Sequence, residues 1–123
     1  MGDRANLKIA SEWDDGVHLY THWSGSELPK TLKAGLIRGV SRWDDPPYLA
    51  RILFCEMVRG HEADTTGFGI SCGVGDGDDR VLTVDCSAQT VTWPNGESMS
   101  FTEYTSLDSL SWESPHNGVS SHD

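Results

Sequence analysis

Positive charge is scarce in this sequence: its 123 residues include 9 Lys and Arg against 19 Asp and Glu, a formal net charge of −10. Such a charge repels phosphate backbones at long range, so we expect no generic binding of DNA or RNA. Long apolar runs are also missing, since no segment approaches the roughly 20 residues that a helix needs to cross a bilayer. The N-terminus lacks the apolar stretch of a signal peptide, which predicts a cytoplasmic protein without membrane association.

Cysteine occurs only three times and never as a C-x-x-C pair. An odd number without that spacing argues against a disulfide framework and against a four-cysteine zinc site. Cys55, Cys72 and Cys86 each lie in a short apolar stretch, so we expect free thiols that behave as small buried hydrophobes. The acidic loops lack the spacing of a calcium loop, and the sequence predicts neither a metal nor a cofactor.

The common signatures of catalysis and of phosphate binding are missing as well. There is no G-x-x-x-x-G-K-[ST] loop, no G-x-G-x-x-G turn and no G-x-S-x-G elbow. The glycines of residues 73–77 lie between two predicted strands instead of opening a helix, so they should cradle no phosphate. No catalytic residue is therefore predicted from a motif.

Length and apolar content predict one domain, since 123 residues with 37% hydrophobic side chains and five Trp suffice for a single core. Periodicity and turn signals predict strands at 6–12, 17–23, 68–72, 80–86 and 90–93, and helices at 27–40, 48–58 and 101–110. The order ββ-αα-βββ-α is that of an α+β domain with a mostly antiparallel sheet and helices packed on one face. We expect this domain to cover residues 1–112, and the polar segment 113–123 to be a disordered tail.

Three helix starts are indicated by capping residues. Ser26 is the predicted N-cap of the first helix. Asp45 is that of the second, with Pro46 at the first helical position, where its missing N–H leaves no bond unmade. Ser100 and Glu103 have the spacing of a capping box and predict a short third helix.

The two longer helices differ in their apolar patterns. Gly35 and Gly39 fall on the apolar face of the first helix, where their low helix propensity indicates that they admit a close neighbour. The second helix has few charged positions. We therefore expect it to be the most buried helix of the domain.

Charge is distributed unevenly along the chain. Residues 30–59 hold six Lys and Arg against three Asp and Glu, whereas the rest of the chain holds three against sixteen. One interpretation is a pair of solvated helix faces whose cations neutralise acidic neighbours. The other is an anion-binding cleft at the helix starts, where backbone N–H groups and Arg side chains could hold a phosphate.

Aromatic and basic side chains concentrate near the end of the second strand and the start of the second helix. We expect the first helix to return the chain across one sheet face, so that the two regions converge into a ligand site. There an Arg fork and a Trp face would pair with a nucleotide and stack on it. The same residues could instead form a structural knot of aromatic rings and ion pairs. The candidate ligand-binding residues are His22, Trp23, Arg42, Trp43, Tyr48 and Arg51.

The sequence resembles a family of small uncharacterised proteins from phages and prokaryotes in three blocks: residues 19–29 (LYTHWSGSELP), 42–52 (RWDDPPYLARI) and 66–71 (TGFGIS). The similarity runs in order over residues 17–104. It implies a small intracellular protein, in the host cytoplasm if phage-encoded, and it brings no established activity. An accessory role on a host component, such as counter-defence, is what this association suggests.

Three functions are compatible with this sequence. The leading hypothesis is a non-enzymatic accessory protein that sequesters a small anionic ligand, such as a nucleotide, at the basic helices. The alternative is an acidic inhibitor that mimics nucleic acid or docks on a basic host protein, because residues 76–123 hold nine acids and one Arg. The third is a small hydrolase-like enzyme with His22 as general base and Asp44 or Asp45 as its partner. A homo-oligomer is compatible with each of them.

Overall fold

The computed structural model describes residues 3–11, 14–72 and 80–113, and this part of the chain is an α+β domain, as predicted. Its strands and α-helices are β1 (Ala5–Ser11), β2 (Asp14–Thr21), α1 (Leu28–Arg38), α2 (Pro46–Met57), β3 (Phe68–Ser71), β4 (Val81–Asp85), β5 (Thr90–Thr92), β6 (Ser98–Ser100) and α3 (Phe101–Thr105). All but the first residue of the predicted tail 113–123, and the glycine-rich segment 73–79, lie outside the described residues.

The strands form one mixed sheet in the order β3-β2-β1-β4-β5-β6. β1 and β4 are parallel, and the other neighbouring strands are antiparallel. β1 is therefore hydrogen-bonded on both sides, whereas β3 and β6 lie at the two edges of the sheet. The mostly antiparallel sheet of the prediction is confirmed.

The three-residue strand β6 is an addition to the predicted elements. Its Ser-Met-Ser sequence is too short to show a period of two, but the preceding turn closes a hairpin onto β5. The Trp93 N–H donates to the Glu97 carbonyl at 2.8 Å, and Gly96 has a φ of +94°. Met99 is 7% exposed. β6 is thus formed by its pairing with β5 and by the burial of Met99, and neither contact can be recognised in the local sequence pattern.

The alternation of β1 and β2 sorts apolar from polar side chains between the two faces of the sheet. Leu7 and Ile9 of β1 and Leu19 of β2 are at most 1% exposed. They pack in one cluster with Leu32 and Leu36 of α1. The helices thus cover the face of the sheet from which these apolar side chains project, and the core lies between the two layers.

Two of the three predicted helix starts are confirmed. Asp45 caps α2, with its carboxylate accepting from the Tyr48 N–H at 3.5 Å and with Pro46 as the first helical residue. At α3, Ser100 and Glu103 form a reciprocal capping box. In both cases the signal is contained within four consecutive residues, which is why the sequence shows it.

Ser26 is not the N-cap of α1, contrary to prediction. The 3₁₀ turn Gly25–Glu27 precedes the helix, which begins at Leu28. The N–H and the hydroxyl of Ser26 both donate to the Asp3 carboxylate. An acid that is distant in the sequence therefore takes the hydroxyl that the local spacing assigned to the helix.

Gly35 and Gly39 let α1 and α2 approach closely, as predicted. A Cβ atom on Gly35 would lie 2.4 Å from the Leu53 Cδ2, and one on Gly39 would lie 2.9 Å from the Leu49 Cδ1. Both leucines are at most 1% exposed. Because they are held in the core, a side chain at either glycine would force the two helices apart.

The three cysteines are free thiols but differ in burial. Cys86 is 2% exposed and belongs to the core, as predicted, whereas Cys55 is half-buried. Cys72 is exposed, so the prediction of a buried thiol is wrong at this position. It directly follows β3, and an edge strand leaves part of its apolar stretch open to solvent.

We expect the thiols to react with Ellman's reagent in the order of their exposure. In the native protein Cys72 should react fast, Cys55 more slowly and Cys86 only on unfolding, because the thiolate has to meet the reagent in solvent. The measurement is the number of fast thiol equivalents in the native protein. Cys72→Ser should remove the fast phase alone, and a fast phase that survives this substitution would contradict the assignment.

Candidate functional site

Helix α2 has two apolar faces. Leu49, Leu53 and Met57 point into the core and are at most 7% exposed. A second set of residues follows the spacing of three and four that places side chains on one helix face. This set lines a groove and consists of Pro47, Ala50, Arg51 and Phe54.

The groove lies between this second face of α2 and the β2–β3 side of the sheet. Its other wall consists of Val17, Leu19 and Ile70, and its volume is about 250 Å³. Leu19 and Ile70 are direct partners in the antiparallel register, which places both side chains on the same face. Ile70 is nevertheless 62% exposed, because it lies on the edge strand.

The prediction that the second helix is the most buried one is wrong. Four of the twelve residues of α2 are buried, against five of the eleven residues of α1. The scarcity of charge that prompted the prediction comes from a face that is turned to the groove instead of the core. The signal for this site was thus present in the sequence as a second, mostly apolar helix face with Arg51 as its one charged residue.

Arg51 is the one charged residue among those that line the groove, and because the wall is almost entirely apolar, it is the aliphatic stem of Arg51 that forms part of it. Arg51 is exposed, and among the described residues no carboxylate lies within ion-pair distance of it, whereas Arg38, Arg42 and Arg59 each have such a partner. Its guanidinium can therefore bind an anionic group beside an otherwise apolar surface.

Glu56 binds two of the other arginines. Arg38 of α1 and Arg59 beyond α2 both donate to its Oε2, and its side chain is 8% exposed. Burial acts to raise the pKa of the Glu56 carboxyl, but the bonds from the two arginines outweigh it and hold the pKa below its usual value. The cluster joins α1 to the end of α2, so both arginines are engaged in the fold.

Other cations of the basic helices also have local partners. Arg42 lies 3.7 Å from Asp45, and Lys30 lies 3.7 Å from Glu27. Lys33 donates to a backbone carbonyl beyond α3 at 2.6 Å. The ion pairs of Arg42 and Lys30 support the interpretation of helix faces whose cations are neutralised locally.

His22 and Trp23 lie just after the carboxyl end of β2. The His22 ring stacks on Tyr20 with 5.3 Å between the ring centroids. Trp23 packs edge-on against Phe68 at 5.9 Å and remains 51% exposed. Phe68 also contacts the His61 ring at 5.6 Å. Trp23 thus belongs to an aromatic cluster around the beginning of β3, whereas His22 stacks on Tyr20, whose side chain projects to the opposite face of the sheet from Phe68.

Arg42, Trp43 and Tyr48 lie at the amino end of α2. The Arg42 guanidinium carbon is 4.6 Å from the centroid of the Tyr48 ring, which is 51% exposed. Trp43 is turned into the fold, because its indole N–H donates to the Leu36 carbonyl at 2.9 Å and its ring packs edge-on against Phe101 at 5.2 Å. This second group is therefore a structural Trp beside an exposed Arg–Tyr pair.

The two groups do not converge into one site. His61, which touches the first group, follows the carboxyl end of α2, whereas Trp43 and Tyr48 flank its amino end. Helix α2 has 12 residues and is therefore about 18 Å long. Of the six predicted site residues, Arg51 alone lines the groove, which lies between the two groups.

No protein-family model matches the chain, and neither does a curated protein or a solved structure. Within the described ranges, none of the helices is long and apolar enough to span a membrane. The same residues contain no group of three His, Cys, Asp or Glu side chains placed to hold a metal ion. The groove is thus the feature from which a function can be inferred.

A cluster around Asp3 is absent from the sequence prediction. Its carboxylate accepts from the hydroxyl and N–H of Ser26 and from Arg80 at 2.8 Å, and these bonds, with the Ser26 hydroxyl first, lower the pKa of Asp3 to about 2. The Arg80 guanidinium also lies 5.2 Å from the Trp112 ring, whose N–H donates to the Gly25 carbonyl at 2.7 Å. The cluster joins segments that are distant in the sequence, so no local spacing of residues can indicate it.

His18 lies on the sheet face opposite the helices and is 5% exposed. Burial lowers the pKa of its imidazole, and its cross-strand neighbour Lys8 lowers it further. The imidazole is therefore neutral at pH 7. A neutral ring on the far side of the sheet makes no contribution to an anion site at the helices.

Proposed function

We propose that this protein is a non-enzymatic binding protein that holds an apolar segment of a partner protein in the groove between α2 and β3. The groove itself carries the proposal: apolar side chains from one helix and two strands face an open channel beside Arg51. Open apolar surfaces with a polar rim are typical of protein-interaction sites. The proposal shares the protein-binding class of the alternative hypothesis, but the contact is the groove and not the acidic surface.

The size of the groove favours a side-chain anchor over a free small molecule. Small-molecule pockets usually measure roughly 300–1,000 Å³, whereas the groove measures about 250 Å³ and is open to solvent. A cavity of roughly 150 Å³ accepts a group the size of benzene. The groove therefore has room for one or two apolar side chains of a chain whose backbone stays outside.

Two features near α2 work against the nucleotide of the leading hypothesis. Trp43 is half-buried and uses its N–H and a ring contact inside the fold, which leaves less of its ring open for stacking. The Asp45 carboxylate caps the helix end at which a phosphate would bind. The anionic ligand stays a prediction, and calorimetry with a panel of nucleotides tests it: the absence of binding at millimolar nucleotide would remove it.

Peptide selection tests the proposed function without knowledge of the partner. The immobilised protein is exposed to a phage-displayed library of random peptides of about a dozen residues. We expect enrichment of peptides with one or two large apolar side chains, because the groove takes anchors of that size. Synthetic copies of these peptides should shift the amide NMR signals of Val17, Ala50 and Ile70, which line the groove.

Ile70→Asp should strongly weaken these peptides, because it removes an apolar wall and adds a charge. Burial of one such side chain contributes about 1.5–3 kcal/mol, which corresponds to a loss of affinity of about tenfold to a hundredfold. Ile37→Asp is the matched control, since Ile37 is 53% exposed against 62% for Ile70 and lies on α1, away from the groove. Equal affinity of the two variants, or the selection of no peptide, would contradict the proposal.

A further inference from the structure

The hydrogen bonds of β1 show towards which neighbouring strand the N–H and C=O of each residue point. The Asn6 N–H donates to the Arg80 carbonyl at 2.9 Å, so the backbone of Asn6 faces β4. By the alternation of a strand, Leu7 faces β2, where Leu19 is its partner. Leu19 then bonds to β1, and the next residue, Tyr20, faces β3.

The same alternation turns the backbone of Ile70 outward. Tyr20 pairs with Gly69, and because the backbone groups of Tyr20 point towards β3, the two residues exchange hydrogen bonds. The adjacent residue, Ile70, therefore directs its N–H and C=O away from β2. The His22 N–H, which donates to the Gly67 carbonyl at 2.8 Å, continues this pattern. In the part of the chain that the structure describes, no backbone group bonds to these outward groups of Ile70.

We propose, building on the proposed function, that the partner segment binds as an added β-strand along β3, with its backbone paired to Ile70 and a carboxylate on Arg51. Two residues that pair directly across neighbouring strands project their side chains to the same face of the sheet. The residue opposite Ile70 therefore projects into the groove. One extended segment thus supplies both the backbone bonds and the apolar anchor, as in other cases of strand addition.

Charge decides which kind of segment binds. Arg51 lines the groove and has no carboxylate partner among the described side chains, so it favours a segment with Asp, Glu or a C-terminal carboxylate near the anchor. In a second copy of this chain that paired β3 with β3, the strand itself would offer no carboxylate, because it reads FGIS. Such pairing would also bring two Arg51 side chains to one two-fold seam and join two molecules of net charge −10. The occupant is therefore a separate segment that is apolar and acidic.

N-methylation of a selected peptide separates strand addition from simple apolar anchoring. Each methyl group removes one N–H, and in an added strand every second N–H bonds to β3. We expect an alternating profile in calorimetry. Methylation of every second N–H should weaken binding about tenfold, as the loss of a strand hydrogen bond implies: the sensitive positions include the anchor residue in an antiparallel segment and its two neighbours in a parallel one. Methylation at the positions between should leave the affinity nearly unchanged.

Amide exchange and an Arg51 variant test the two contacts separately. On peptide binding, the Ile70 amide should gain protection while the amides of β6, at the opposite edge of the sheet, stay unchanged. Arg51→Gln should weaken a carboxylate-bearing peptide about tenfold and should not affect the same peptide with that group as a carboxamide. Amidation of the side chain and of the C-terminus in separate peptides shows which carboxylate is bound.

The outcomes distinguish this inference from the proposed function. A peptide that binds in the groove with a flat N-methylation profile would refute strand addition and leave the proposed function intact. A peptide whose affinity ignores Ile70→Asp, or a library that yields no peptide, would overturn both. An Arg51→Gln variant that still prefers the carboxylate over the carboxamide by the same factor would refute the Arg51 contact.

Discussion

Gly35→Leu should lower the free energy of unfolding of this domain by about 3 kcal/mol or more. A Cβ atom at position 35 would lie 2.4 Å from the Leu53 Cδ2 and 3.4 Å from the Leu53 Cα, and Leu53 is 1% exposed. The rest of a leucine side chain therefore has no space unless the backbone of α2 moves. The gain in helix propensity on replacing Gly, about 1 kcal/mol, is too small to offset this displacement.

Urea unfolding followed by Trp fluorescence measures the effect of Gly35→Leu. A loss of about 3 kcal/mol corresponds to a midpoint shift of about 1–3 M for a domain of this size. Ala34→Leu is the matched control, because Ala34 is exposed one position earlier on the same helix, and exposed substitutions usually change stability by less than about 0.5 kcal/mol. Equal midpoints of the two variants would show that α1 and α2 do not pack through Gly35.

The fold could be predicted wherever its signal is local. The Asp45 and Ser100 caps are each signalled by residues within a few positions of one another, and the close approach at Gly35 and Gly39 by their place on one helix face, and all are confirmed. The failures are long-range: Ser26 bonds to Asp3, 23 positions away, and β6 exists because β5 lies beside it. Such contacts depend on topology, which the periodicity of a single sequence does not contain.

A similar distinction applies to the candidate site: the types of its residues could be predicted from the sequence, but their positions in the fold could not. The aromatic and basic residues were identified, but their convergence required the direction of α2, which instead separates Trp23 from Trp43. Arg51 was predicted as a site residue and lines the groove, yet the groove itself was interpreted as core. A buried helix face and an open apolar helix face have the same sequence pattern. This face of α2 is open because β3 lies at the edge of the sheet, and the pattern does not contain that position.

Tyr104→Ala should destabilise the domain by about 3–5 kcal/mol, as expected for truncation of a buried aromatic residue. Tyr104 is 0% exposed, its ring lies 5.5 Å from that of Trp93, and its hydroxyl donates to the Pro29 carbonyl at 2.7 Å. This bond joins α3 to the start of α1. Tyr104→Phe keeps the ring and removes one hydrogen bond to a carbonyl that still accepts within helix α1, so we expect a smaller loss of about 0.5–1.5 kcal/mol. Urea unfolding of both variants measures the two contributions.

The hydroxyl of Tyr104 also makes stability dependent on pH in the alkaline range. Burial raises the pKa of Tyr104 in the folded state, so its contribution is fully present below the usual tyrosine value of about 10. Above that value the unfolded chain loses the proton first, and stability should fall by up to about 1.4 kcal/mol per pH unit. Tyr104→Phe should flatten this fall, whereas Tyr48→Phe, at an exposed position, should retain it. Identical alkaline slopes in the wild type and Tyr104→Phe would mean that the phenol ionises without unfolding the domain, which is incompatible with its burial against Pro29.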